Sequence, residues 1–137
     1  MGLILDSSIV IAAERRGDTP FQLFAQVAST VGDQQLAISS IALTEIVHAI
    51  YRTKDSQIRL RREAFIQGLL IDLEVVPYAR STAWIAGKID GEQRSIGITI
   101  PSLDLLIGVT ALEIGYSVLT TNIRHFQLIP GLNVLTL

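Results

Sequence analysis

The sequence holds 137 residues (15.0 kDa), of which 49% are hydrophobic and 18% charged, with a formal net charge of −2. This is the size of one domain, taken as residues 1–137, with ample apolar material for a core, which excludes a disordered chain; the small negative charge excludes a protein that coats nucleic acid through bulk positive charge. No apolar run reaches the ~20 residues a spanning helix needs, and the absence of cysteine excludes disulfides and thiolate metal sites and leads us to expect a cytoplasmic location.

In chain order, Gly2 to Leu5 reads as a short buried strand rather than a signal peptide, since no basic run precedes it, and Ser7 to Arg15 reads as a helix that Gly17 ends. Phe21 to Val31 has helical spacing after Pro20. Gln35 to Ile38 is a strand stopped by Ser39-Ser40, either of which suits the cap of a helix from Ile41 to about Arg52. A second helix runs from about Asp55 to Asp72, with Ile58, Phe65, Ile66, Leu69 and Leu70 on one face. Glu74 to Val76 is a strand, Ser81 to Ile96 a helix, and Pro101 to Ile114 a helix stopped by Gly115. Tyr116 to Thr120 and Asn133 to Thr136 supply two more strands. Short apolar strands alternating with helices imply a three-layer α/β/α domain with a mainly parallel sheet of about five strands. In such sheets the site lies beyond the carboxyl ends of the strands, which directs attention to Asp6, Ser39-Ser40 and Thr120 to Asn122.

Three acids stand where the pattern calls for apolar side chains. Asp6 lies between Leu3-Ile4-Leu5 and Ile9-Val10-Ile11, Glu45 within Ile41 to Val47, and Asp104 within Ile100 to Ile107. None has a Lys or Arg within one helical turn along the chain. A buried carboxylate must be protonated, paired or metal-bound. If the three converge, a hard divalent cation such as Mg²⁺ or Mn²⁺ is the economical compensation. Asp6 taken singly also suits a helix N-cap and Asp104 the positive end of a helix dipole. Distant arginines are the other route to compensation. Five of the eleven basic residues, Arg52, Lys54, Arg59, Arg61 and Arg62, fall close together in sequence.

These blocks resemble PIN-domain nucleases, and VapC-type toxins in particular. The resemblance is carried by Asp6-Ser7-Ser8-Ile9-Val10-Ile11 after the first strand, Ser39-Ser40-Ile41-Ala42-Leu43-Thr44-Glu45-Ile46, Asp104-Leu105-Leu106-Ile107-Gly108-Val109-Thr110-Ala111, and Leu119-Thr120-Thr121-Asn122-Ile123-Arg124-His125-Phe126 with Ile129-Pro130-Gly131-Leu132. It spans nearly the whole chain in the family's order. It implies an acidic pocket that binds Mg²⁺ or Mn²⁺ and cuts single-stranded RNA, a homodimer, and inhibition by a small VapB-like antitoxin. One departure stands out: where the family often carries a fourth acid, this chain has Thr120-Thr121-Asn122 and then His125. Asn122 offers a neutral oxygen only, which puts a second tightly held metal in question.

On this reading Asp6, Glu45 and Asp104 hold the ion, which lowers the pKa of a bound water for in-line attack on the phosphodiester, and Asn122 completes the catalytic set. Ser7 and Thr120 would orient carboxylates or waters, with turn or cap roles as the plain alternative. His48, one turn beyond Glu45, would face the same side, and His125 is expected to pack or cap beside Phe126. Arg15, Arg16, Arg59 and Arg62 are the RNA-contact candidates, set against the plain reading of a solvated helix face. The apolar faces of Phe21 to Val31 and Ile58 to Leu70 suit either a partner or the core. Two other readings are weighed: a housekeeping RNA-processing nuclease without an antitoxin, and a non-catalytic PIN-like binding module, the latter lent weight by Asn122.

Overall fold

The computed structural model describes residues 2–137. Its elements are β1 (Gly2–Leu5), α1 (Ser7–Arg15), α2 (Pro20–Val31), β2 (Gln35–Ser39), α3 (Ser40–Arg52), α4 (Ser56–Asp72), β3 (Glu74–Val76), α5 (Arg80–Ser95), α6 (Ser102–Glu113), β4 (Ser117–Leu119), α7 (Ile123–Phe126) and β5 (Val134–Leu135). The strands form one five-stranded sheet in the order β3-β2-β1-β4-β5, and every pairing is parallel. Helices cover both faces, so the strands need no polar side, and all four residues of β1 are buried. None of the described helices is long and apolar enough to cross a membrane.

The helix boundaries follow local chemistry. Thr19 and Gln22 form a reciprocal capping box at the start of α2, with Pro20 in its first turn. Asp55 caps α4 by accepting from the N–H groups of Gln57 and Ile58. Ser39 ends β2 and caps α3, its Oγ accepting from Ala42 N–H at 3.0 Å. Gly115 ends α6 at φ 73°, a left-handed conformation that suits glycine.

The four-residue helix α7 was not expected, since one turn offers no periodicity to read. Its Phe126 is fully buried, and nearby Ile129 is nearly so. Both press on α6 at Gly108, where an added Cβ would stand 2.3 Å from Ile129 Cδ1 and 3.3 Å from Phe126 Cδ1. Core packing takes Leu23 and Val27 of α2 and Phe65, Ile66 and Leu69 of α4. Phe21, Leu60 and Ile71 of the same two helices remain exposed.

Central β1 pairs with β2 on one side and with β4, much later in sequence, on the other. The chain therefore reverses direction across the sheet between β1 and β4. At such a switch point a crevice opens beyond the carboxyl ends of the strands, and Asp6 and Thr120 follow those two ends.

Candidate active site

Asp6 is the residue at which β1 becomes α1. Its N–H donates to Leu119 O at 2.9 Å, continuing the β1–β4 ladder. It occupies the N-cap position of α1, yet its side chain caps nothing. Instead Oδ2 accepts from Ser8 Oγ at 2.7 Å and from Thr120 Oγ1 at 2.8 Å. Asp6 is only 1% exposed, and a carboxylate so deep needs such donors. The two hydroxyls are themselves held by the following loop: Thr121 N–H donates to Ser8 Oγ and Asn122 N–H to Thr120 Oγ1.

Glu45 reaches the same place from the second turn of α3. Ser7 Oγ donates to its Oε1 at 3.1 Å and lies 3.5 Å from Asp6 Oδ1, so this hydroxyl stands between two carboxylates. Asp104 enters from the first turn of α6, and its Oδ2 is 2.7 Å from His125 Nδ1 on α7. Among the described residues no lysine or arginine pairs with any of the three acids.

The electrostatics record their convergence. Burial raises the carboxyl of Glu45 above its ordinary value, the Ser7 hydroxyl opposes this, and the charges of Asp6 and Asp104 add to it. Burial likewise raises Asp104, the His125 hydrogen bond opposes, and the charge of Asp6 adds. Like charges in one partly desolvated pocket each resist the ionisation of the others.

The donor set is all carboxylate oxygen, which suits a hard cation such as Mg²⁺ or Mn²⁺. As the side chains stand, no three acids or histidines among the described residues gather tightly enough to enclose an ion. An ion held there would have to take the rest of its oxygens from water and substrate. Beside Glu45 a cleft of about 440 Å³ opens, lined by Ile11, Ile41, Thr44, His48 and Leu103.

Other residues fall differently from expectation. Asn122 is exposed and acts through its backbone, its carbonyl accepting from the N–H groups of His125 and Phe126. Its side chain makes no hydrogen bond to the acids among the described residues. His125 does not pack with Phe126: burying one of two adjacent residues on a short helix turns the other outward, and the half-exposed imidazole lands on Asp104. Arg62 spans α4 to α1, donating to Glu14 at 3.0 Å and to Thr53 at 2.7 Å. Arg16 is taken up by Asp18 and Gln26. Of the four RNA-contact candidates, Arg15 and Arg59 make no ion pair among the described residues. Ser8 was overlooked; the signal for it was a second hydroxyl directly after Asp6-Ser7, able to reach back to the carboxylate.

Comparisons with known proteins identify the family. The profile of the PIN domain matches residues 3–132. Ribonuclease VapC1 of Rickettsia felis is 35% identical over 136 residues, covering 99% of this chain and 96% of the relative. Among solved structures, VapBC2 from Rickettsia felis, bound to a DNA fragment from its promoter, superposes with a TM-score of 0.85 at 23% identity over 100% of this chain and 99% of that one. DNA-bound VapBC from Salmonella typhimurium gives 0.82 at 26% identity over 99% and 98%. With its acids gathered at the β1–β4 switch point and this likeness along its length, the chain belongs to the PIN-domain family and, within it, to the VapC-type ribonucleases.

Proposed function

We propose that this nuclease is the toxin of a toxin–antitoxin pair, that it cleaves single-stranded RNA, and that it does so with Mg²⁺ or Mn²⁺ held by Asp6, Glu45 and Asp104. The observation that carries the reading is the convergence of three carboxylates on one another without a lysine or arginine among them. A bound divalent ion would neutralise the scissile phosphate and acidify a water, the chemistry that phosphodiester hydrolysis at neutral pH requires.

The protein's own share is positional. Ser8 and Thr120 hold Oδ2 of Asp6 and leave Oδ1 on the side of Ser7 and Glu45. The Ser7 hydroxyl aligns Glu45, and His125 holds one oxygen of Asp104. Because the pocket is negative, RNA phosphates need cations from flanking elements, for which Arg15 and Arg59 are the candidates. The names of the similar complexes support a VapB-like antitoxin as partner, and a homodimer is the assembly expected from the family.

The test is incubation of the purified protein with end-labelled RNA in Mg²⁺, Mn²⁺ or EDTA, beside an Asp6→Asn control. The expected result is cleavage that requires the ion, disappears in the control and leaves 5′-phosphate and 3′-hydroxyl ends. Intact RNA in every lane, or 2′,3′-cyclic phosphate ends, overturns it. Co-expression with the product of an adjacent short reading frame should suppress the cleavage.

A further inference from the structure

We infer that His125 is a positioning residue of the nuclease centre, whose Nδ1–H fixes Oδ2 of Asp104 so that Oδ1 is presented to the ion. The inference rests on the metal-dependent reading proposed above. An ionised carboxylate only accepts hydrogen bonds, so the 2.7 Å contact puts the proton on Nδ1 of the imidazole. The partner oxygen is thereby committed, and the carboxylate loses the freedom to rotate. Asp104 otherwise has no hydrogen-bonding side-chain partner among the described residues, in contrast to Asp6 with its two hydroxyls.

The fold enforces the contact. Asp104 and Gly108 are four residues apart and so lie on one side of α6. At Gly108 the helix has no side chain, and Phe126 and Ile129 fill the space. That packing anchors α7 against α6 one turn from Asp104. His125, next to the buried Phe126, is carried over the carboxylate. The N–H of His125 is itself tied to Asn122 O, and Leu128 N–H to His125 O, so the ring sits on a fixed backbone. His125 therefore contributes a donor and not a further carboxylate at the end of α7 that faces Asp104. It orders one of the three carboxylates in place of adding a charge.

The experiment is calorimetric titration of Mn²⁺ into the intact protein and into His125→Ala and His125→Asn, with thermal melts of each. The amide nitrogen of Asn is attached to Cγ as Nδ1 is in His, so it can supply the same donor. Second-sphere partners of metal ligands typically change affinity by 10–100-fold. His125→Ala should accordingly raise the Mn²⁺ dissociation constant by about 10-fold or more with little change in Tm, and His125→Asn should restore it to within about 3-fold of the parent. Equal affinity in all three proteins overturns the inference while leaving the metal site standing. Equal losses in Ala and Asn also overturn it, because ring size and not the donor would then matter. A parent protein that takes up no Mn²⁺ overturns both this inference and the metal-dependent reading.

Discussion

The hydroxyl of Thr120, one residue past β4, donates across 2.8 Å to Oδ2 of Asp6, one residue past β1. The two residues are far apart in sequence and adjacent only because β4 pairs with β1 in the sheet. Thr120 is fully buried and also accepts from Asn122 N–H, so the hydroxyl links the acid to the following loop. Thr120→Val removes the donor and the acceptor together, leaving Oδ2 of Asp6 with Ser8 alone. A stability loss of about 1–3 kcal/mol is expected, with a drop in kcat of about 10-fold through a less fixed carboxylate. Thr120→Ser keeps the hydroxyl and should preserve kcat. Melting curves and cleavage rates for the three proteins check this, and a Val variant as active as the parent contradicts it.

Burial disfavours the ionised form of Glu45, and the charges of Asp6 and Asp104 add to that effect. Glu45 ionises in the folded state at a pH above its ordinary 4.5, first because of burial and then because of its acidic neighbours. Between the unfolded and folded pKa values the folded protein still binds a proton that the unfolded chain has released. Stability linked to Glu45 is thus fully present below about pH 4.5 and is lost as pH rises through the folded value. Glu45→Gln removes the ionisation while keeping an oxygen for Ser7. The Tm difference between Glu45→Gln and the parent, both in EDTA, should start small near pH 4 and grow in favour of the variant as pH rises. Glu45 is only partly buried, so a gain of a few degrees is the upper expectation at pH 7. Mn²⁺ should raise the parent's Tm at pH 7 and the variant's much less. A difference that is flat with pH argues against the repulsion.

Arg62 and Arg15 should separate by experiment. Arg62 fills its guanidinium with Glu14 and Thr53, both half-buried, and joins α4 to α1. Arg62→Met leaves Glu14 without its partner and should cost about 1–2 kcal/mol of stability. Arg15→Glu and Arg59→Glu should melt like the parent but bind RNA more weakly. Each should also reduce the salt dependence of binding by about one unit of slope per lost phosphate contact. Fluorescence anisotropy at several salt concentrations, with all proteins also carrying Asp6→Asn to prevent cleavage, reads both quantities. Unchanged slopes in the Arg15 and Arg59 variants remove them from the RNA path.

The strands and six of the seven helices were legible because each carries a local cue: apolar runs at Gly2–Leu5 and Leu36-Ala37-Ile38, a cap at Ser39, a glycine stop at Gly115. The three acids were legible because a carboxylate amid apolar residues is costly wherever it folds. Their immediate partners were harder to read. Ser8 and Thr120 meet at Asp6 only after β1 and β4 pair, and His125 meets Asp104 only after Phe126 is buried against α6. The basic residues were the least legible. Sequence shows that Arg16 and Arg62 are charged, whereas Asp18 and Glu14 decide whether that charge is still available.

Gly108 ties stability to chemistry. In sequence it is a poor residue for a helix interior, and replacing glycine by alanine there should gain roughly 1 kcal/mol from propensity alone. In the fold an alanine Cβ would meet Ile129 Cδ1 at 2.3 Å, Leu132 Cδ2 at 3.1 Å and Phe126 Cδ1 at 3.3 Å. Ile129 is 2% exposed and Phe126 fully buried, so neither side chain has free space to move into. Overpacking of this kind costs about 1–3 kcal/mol, which cancels or outweighs the propensity gain. Gly108→Ala should therefore melt no higher than the parent and up to several degrees lower. Relief of the clash by a shift of Ile129 and Phe126 away from α6 would carry the adjoining His125 with them. The same variant should bind Mn²⁺ more weakly although residue 108 touches none of the three acids. A higher Tm with unchanged Mn²⁺ affinity would mean that α7 yields without disturbing Asp104, and that the seat of His125 is set elsewhere.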